Sequence, residues 1–275
     1  MKSGTDNGAL SQAEERDAER RSAPRAVVVF EAIRQEAQEE LKRHNRALFW
    51  SGLAAGLSMG FSFIAEALLQ AALPDAPWRP LISKLGYSVG FLIVILGRQQ
   101  LFTENTLTPV IHVLRVRKAG VLWNVLRLWG VVLSANVLGT LVFGWVMYRV
   151  ELFPPQVQAA LASVALHAHA TDFGPSFIGA LFAGWLIALM VWLLPAAETA
   201  RVGVIIIITY LVGVAGFPHI IAGSTQMFYN IAAGAMSVSE ALSGFFLPVL
   251  TGNIIGGVAL VAALNYAQVS SDDEP

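Results

Sequence analysis

The residues of this chain that could do chemistry stand where chemistry is expensive. His219, Thr103, Arg98 and Glu104 all lie within stretches otherwise apolar enough to cross a bilayer. Arg98 and Glu104 belong to the polar run Gly97-Arg98-Gln99-Gln100-Leu101-Phe102-Thr103-Glu104-Asn105-Thr106, with Pro109 just beyond. Charged groups at that depth normally face a cavity or a partner, so the two are expected to pair with each other, with backbone groups or with water. His219 sits among Gly213, Gly216, Pro218 and Gly223. Burial favours the neutral imidazole, so a midplane His219 is expected to rest uncharged and to exchange a proton with an acid. That chemistry suits weak acids, because an anion that takes up a proton at the centre crosses an apolar constriction as a neutral molecule. A histidine merely hydrogen-bonded inside a helix break is the structural alternative. For Thr103 a hydroxyl that satisfies a freed carbonyl and one that contacts a solute stand equally open.

Other constellations carry less. His167, His169 and Asp172 lack a fourth ligand and helical spacing, and read as a solvated loop rather than a metal site. Glu66 is expected to face the bundle and pair internally, and Asn136, beside Gly139, to serve helix–helix contact. No nucleophile elbow, phosphate-binding glycine loop or His-Glu-x-x-His is present, so neither an enzyme nor a cofactor is indicated. The net charge of -1 and the lack of a basic, aromatic-interleaved stripe set nucleic acid aside.

The elements that must hold these residues follow from composition. The chain is 55% hydrophobic and 13% charged, with mean hydropathy +0.60, outside the balance of a soluble domain. Nine of its 18 Lys and Arg residues precede Phe49. Residues 1–25 read as a disordered tail and 26–46 as an amphipathic helix, with Val27, Phe30, Ile33, Ala37 and Leu41 on one face. Six transmembrane helices are expected within 47–267, near Ala47–Ala72, Leu81–Leu114, Val121–Tyr148, Phe177–Leu194, Val202–Met236 and Leu242–Ala267, before an acidic tail over 268–275. Lys42, Arg43, Arg46, Arg115, Arg117, Lys118 and Arg201 mark the cytoplasmic side, which puts both termini inside. The second and fifth segments are long, and each is interrupted. Each interruption falls in the middle helix of a three-helix half, so the all-α fold is expected to be an inverted repeat with a site between the broken helices.

At these residues the chain resembles the formate/nitrite transporter family. Leu101-Phe102-Thr103 matches that family's second-helix loop, Gly216-Phe217-x-His219 its fifth-helix motif, and Gly252-Asn253-Ile254-Ile255-Gly256-Gly257 its sixth-helix motif. The resemblance runs from about Phe49 to Tyr266. It implies an aquaporin-like fold in a bacterial inner membrane, a homopentamer in lipid with a pore through every protomer, and conduction of small monovalent anions or their conjugate acids. It also implies that Thr103 orients His219 and contacts the solute and that Asn253 supports the loops. Leu101 and Phe102 then form a cytoplasm-side constriction, with Val212 and Phe217 nearer the outer side. The chain departs from the family at Pro218, which replaces an acidic residue, and at Thr171-Asp172-Phe173-Gly174-Pro175, where formate channels carry a lysine. Arg98, Gln99 and Glu104 give its second-helix loop added charge. The expected function is passage of a small anion or weak acid. A pore for an uncharged solute and a non-conducting scaffold plugged by the charged loop are the alternatives.

Overall fold

The computed structural model describes residues 11–13, 24–166 and 172–272, and the described residues form helices joined by turns, without strands. The expected disordered tail falls almost wholly outside the described residues, as do His167 and His169. Helix α1 spans Ala26–Lys42 and buries Val29, Phe30, Ile33 and Ala37. Among the described residues five stretches are long and apolar enough to cross a membrane: Asn45–Ala72 (α2), Arg79–Leu96 (α3), Ala119–Arg149, Phe173–Val214 and Val238–Val269. In lipid such segments must be helical, because every backbone N–H and C=O needs an internal partner.

The second apolar segment stops at Leu96 and resumes as α4, Thr108–Val116. Then follow α5, Ala119–Arg149, and α6, Pro155–Ala165, an 11-residue helix absent from the expected elements. The stretch Phe173–Val214 is divided at Glu198, whose φ of 37° ends one helix, into α7, Phe173–Ala197, and α8, Arg201–Val214. These two pack against each other. After a second break comes α9, Ile220–Ala232, and then α10, Val238–Val269, which widens into π-helical turns at Ala241–Phe246 and Gly256–Ala263. The helical path runs on to Asp272, through the start of the expected acidic tail.

Packing pairs the helices in two matching sets. Helix α2 lies along α5, and α7 lies along α10. Small residues let the backbones close: a Cβ at Gly56 would collide with the Asn136 carbonyl, and one at Gly184 with the Asn253 carbonyl. Helix α9 leans on α5 and α2 of the opposite set, whereas α4 packs on both α5 and α10. Helix α1 lies across one end, with Val29, Phe30 and Ile33 against Leu107, Val110 and Ile111, Val191 and Trp192 of α7, and Val261. Its last turn is tied down by Arg127, which donates to the Leu41 and Arg43 carbonyls and to Asn45 Oδ1. Large apolar side chains such as Trp123, Ile207 and Trp50 cover the outer faces.

Candidate functional site

Two helix ends meet in the middle of the bundle, and they are built alike. At the end of α3, Gly97 N–H donates to Ile93 O, Arg98 N–H to Ile95 O and Gln99 N–H to Val94 O. At the end of α8, Ala215 N–H donates to Leu211 O, Gly216 N–H to Gly213 O and Phe217 N–H to Val212 O. Both are closing turns with one left-handed residue, which satisfy the last carbonyls of a helix. Gly216 takes that conformation at φ 66° and Arg98 at φ 50°. Glycine adopts it freely, whereas a residue with a Cβ does so at a cost of about 1 kcal/mol.

Each break is then held by one asparagine. Asn136 of α5 accepts from Phe102 N–H at 2.8 Å and donates to Gln100 O at 2.9 Å and Gly52 O at 2.7 Å. Asn253 of α10 accepts from Ile220 N–H at 2.8 Å and donates to Pro218 O at 3.1 Å and Ala180 O at 2.7 Å. Both side chains are fully buried. Each spends its oxygen and one N–H on backbone groups that the break has freed, and its second N–H ties the break to a carbonyl of the neighbouring helix, Gly52 of α2 or Ala180 of α7.

Between the clamped breaks, Thr103 Oγ1 and His219 Nε2 stand 2.8 Å apart, each 1% exposed. His219 caps α9, its Nδ1 accepting the Ala222 N–H at 3.2 Å. Nδ1 therefore carries no proton in this geometry, the proton sits on Nε2, and the ring donates to Thr103 Oγ1. The hydroxyl hydrogen of Thr103 has no acceptor among the described residues and is left for another partner. Phe91 meets the imidazole edge-on at 5.0 Å and Tyr87 continues that column at 5.4 Å from Phe91. Leu101, Phe102 and Val212 are at most 1% exposed, so the centre is an apolar enclosure with one hydrogen-bonded polar pair.

The residues singled out in the sequence divide accordingly. Thr103 and His219 come together, Asn253 holds the second break, and Leu101, Phe102 and Val212 pack in the same core cluster as Phe91. Phe217 is partly buried against that cluster and stacks on Phe182 of α7 at 5.4 Å, a ring that is 40% exposed. Arg98 does not pair with Glu104. Its guanidinium donates to Glu36 of α1 at 2.7 Å, because the left-handed backbone at Arg98 swings the side chain out toward that helix. Glu66 pairs with Lys84. Sequence reasoning passed over Phe91, Gln100 and the clamping role of Asn136. One signal for the last was available: Asn136-x-x-Gly139 and Asn253-x-x-Gly256 repeat the same spacing in the helix that follows each break.

Comparison with known proteins identifies the family and the fold. The model of the formate/nitrite transporter family matches residues 27–267. The chain is 40% identical over 254 residues to the inner membrane protein YfdC of Escherichia coli (strain K12), covering 92% of this chain and 82% of that protein. Its fold is similar to that of a solved FNT family ion channel, with a TM-score of 0.77 at 18% identity, over 88% of this chain and 99% of the other. It is also similar to a pentameric formate channel with formate bound, with a TM-score of 0.69 at 22% identity, over 82% and 97%. The doubled, asparagine-clamped break and the family match over most of the chain lead to one assignment: this is a membrane transport protein, not an enzyme, and it belongs to the formate/nitrite transporter family.

Proposed function

We propose that the chain conducts small monovalent anions, formate and nitrite being the type solutes, and that they cross its centre as conjugate weak acids. The observation that carries this reading is the 2.8 Å Thr103–His219 contact inside an otherwise apolar enclosure. The free hydroxyl hydrogen of Thr103 gives an entering oxyanion one donor to bind. His219 relays the proton: a proton arriving at Nδ1 displaces the long Ala222 N–H bond, while the Nε2 proton leaves through the Thr103 hydroxyl to the solute. The ring stays neutral on balance, and the anion leaves the polar pair as an acid that can pass Leu101 and Phe102 on one side or Phe91 and Val212 on the other.

We further infer six membrane passages in two halves of opposite orientation. A continuous Phe173–Val214 helix of 42 residues would run about 63 Å. That is roughly twice the hydrocarbon thickness, so the bend at Glu198 supports two passages. The identical closing turns and identical asparagine clamps support a repeated half. An odd number of passages per half requires the second to be inverted. Both termini then lie on the cytoplasmic side of an inner membrane, and the apolar outer faces serve lipid and the contacts of a homopentamer.

A pore for an uncharged solute is the second reading, favoured by the carboxylates Glu39 and Glu104 at one mouth. Stopped-flow measurement of formate, nitrite and glycerol entry into proteoliposomes separates the two. Acid-stimulated formate flux that collapses in His219→Ala is the expected result; glycerol flux alone, insensitive to His219, would replace the weak-acid reading with the second.

A further inference from the structure

A cavity of about 510 Å3 lies between α1, the first break and the facing ends of α7 and α8. Its charged lining is Glu36, Glu39 and Glu40 from α1, Arg98 and Glu104 from the break, and Arg201 from α8; α7 contributes only the apolar Val191, Leu194 and Pro195. The cavity reaches the surface, since the Arg98 and Glu36 side chains at its rim are 73% and 43% exposed. Its floor is a hydrogen-bonded chain, with Asn105 Nδ2 donating to Gln100 Oε1 at 3.1 Å and Gln100 Nε2 donating to Glu40 at 2.8 Å. Below that floor come the buried Leu101, Phe102 and Thr103.

Half of these six charges are already committed. Arg98 is bonded to Glu36, and Glu40 is held by Arg43 as well as by Gln100. The Glu104 carboxylate has no hydrogen-bond or ion-pair partner among the described residues, yet it directly follows Thr103 in the chain and faces the cavity. Even with Glu104 protonated, a mouth with the three carboxylates of Glu36, Glu39 and Glu40 against two guanidiniums does not concentrate anions. An anion arriving at this mouth has the buried Leu101 and Phe102 between it and His219, so a proton donor at the mouth would let it reach the Thr103–His219 pair as the neutral acid, leaving His219 to serve an anion that arrives from the opposite side.

We propose that Glu104 is that group, exchanging a proton with the solute at the mouth beside α1; the inference rests on the weak-acid reading above. For an entering solute, the O–H bond of the Glu104 carboxyl breaks as an O–H bond to the anion forms. Glu104 becomes the carboxylate, and cavity water returns its proton. A leaving acid runs the same step backwards. Glu104 directly follows Thr103 in the chain, so the neutral acid is formed at the residue next to the one that contacts His219. No other ionisable side chain that lines the cavity adjoins Thr103 in the chain.

The test uses the full chain in proteoliposomes, with formate as probe and an internal pH dye as readout, at about pH 7.5 and about pH 5. Glu104→Gln keeps size and polarity but cannot exchange a proton, and Glu104→Asp restores the acid. Glu104→Gln is expected to lower formate flux about tenfold or more at the higher pH and by no more than about twofold at the lower, where more formic acid arrives already neutral. Glu104→Asp should recover most of the loss. Parent-like flux in Glu104→Gln at both pH values would overturn the proposal. So would an equal loss at both pH values that Asp does not repair, which is the mark of a structural role. A parent without formate flux at either pH removes the weak-acid reading itself, an outcome seen without any substitution and so distinct from failure of Glu104 alone.

Discussion

Replacing Asn253 with alanine removes three hydrogen bonds at one stroke, and the structure sets the size of the loss. The Ile220 N–H is left in a buried break without an acceptor, which costs about 1–3 kcal/mol. The two bonds from Nδ2 to the Ala180 and Pro218 carbonyls contribute about 0.6 kcal/mol each on the scale of polar contacts between membrane helices. Together the variant should be destabilised by about 2–4 kcal/mol. Asn136→Ala strips the same set of bonds from Phe102, Gln100 and Gly52, so it should cost the same. Unfolding in mixed micelles, followed by tryptophan fluorescence, measures both. Thr251→Ala is the control, since that exposed hydroxyl only doubles a helix carbonyl and its loss should be near zero. A cost below about 0.5 kcal/mol for either asparagine, or a cost for one and not the other, would refute the equivalence of the two clamps.

Two further outcomes follow from single residues. Arg98→Gly should raise stability slightly, by about 0.5 kcal/mol: relief of the left-handed strain is worth about 1 kcal/mol and the exposed Glu36 pair less than that, and a lowered melting temperature would reverse the ranking of the two effects. In α1 the Arg34 guanidinium donates to both Glu31 oxygens at 2.6 and 2.7 Å, Gln35 adds a third bond at 3.0 Å, and together they hold the Glu31 carboxyl at about 2 against an ordinary 4.5. A carboxyl depressed in the folded state stabilises α1 above its ordinary value and gives that up as pH falls toward about 2. Carbon-detected NMR should place the Glu31 midpoint near 2 and return it toward 4.5 in Arg34→Ala; a parent midpoint already at 4.5 would discard the pair.

What the sequence makes readable here is what lipid penalises. The two breaks stand out because glycine, proline and charge interrupt runs of apolar residues, and Thr103 and His219 stand out because polar groups at that depth are rare. Partners are harder to read. Arg98 and Glu104 share one loop, yet the partner of Arg98 is Glu36, reached only after α1 folds across the mouth. Phe91 lies in the run Phe91-Leu92-Ile93-Val94-Ile95-Leu96, where every residue is apolar and no face is marked as the one toward His219. Asn136 bonds only to backbone groups, which have no side-chain signature, so it reads as ordinary helix contact until its match with Asn253 is seen. Helix α6 is too short to register as a span, although Pro154-Pro155 is a fair helix start.

The clamps also bear on the order in which the molecule can be made. Asn136 and all three of its partners fall between Gly52 and Asn136, and Asn253 and its partners between Ala180 and Asn253. Each half can close its own break without the other. The Thr103–His219 contact bridges the two breaks across 116 residues. During synthesis the N-terminal half can settle while the ribosome is still producing α7, and the polar pair is assembled last, when two prefolded halves dock. A variant that weakens docking would leave a chain inserted, helical and locally intact, but without a conducting centre.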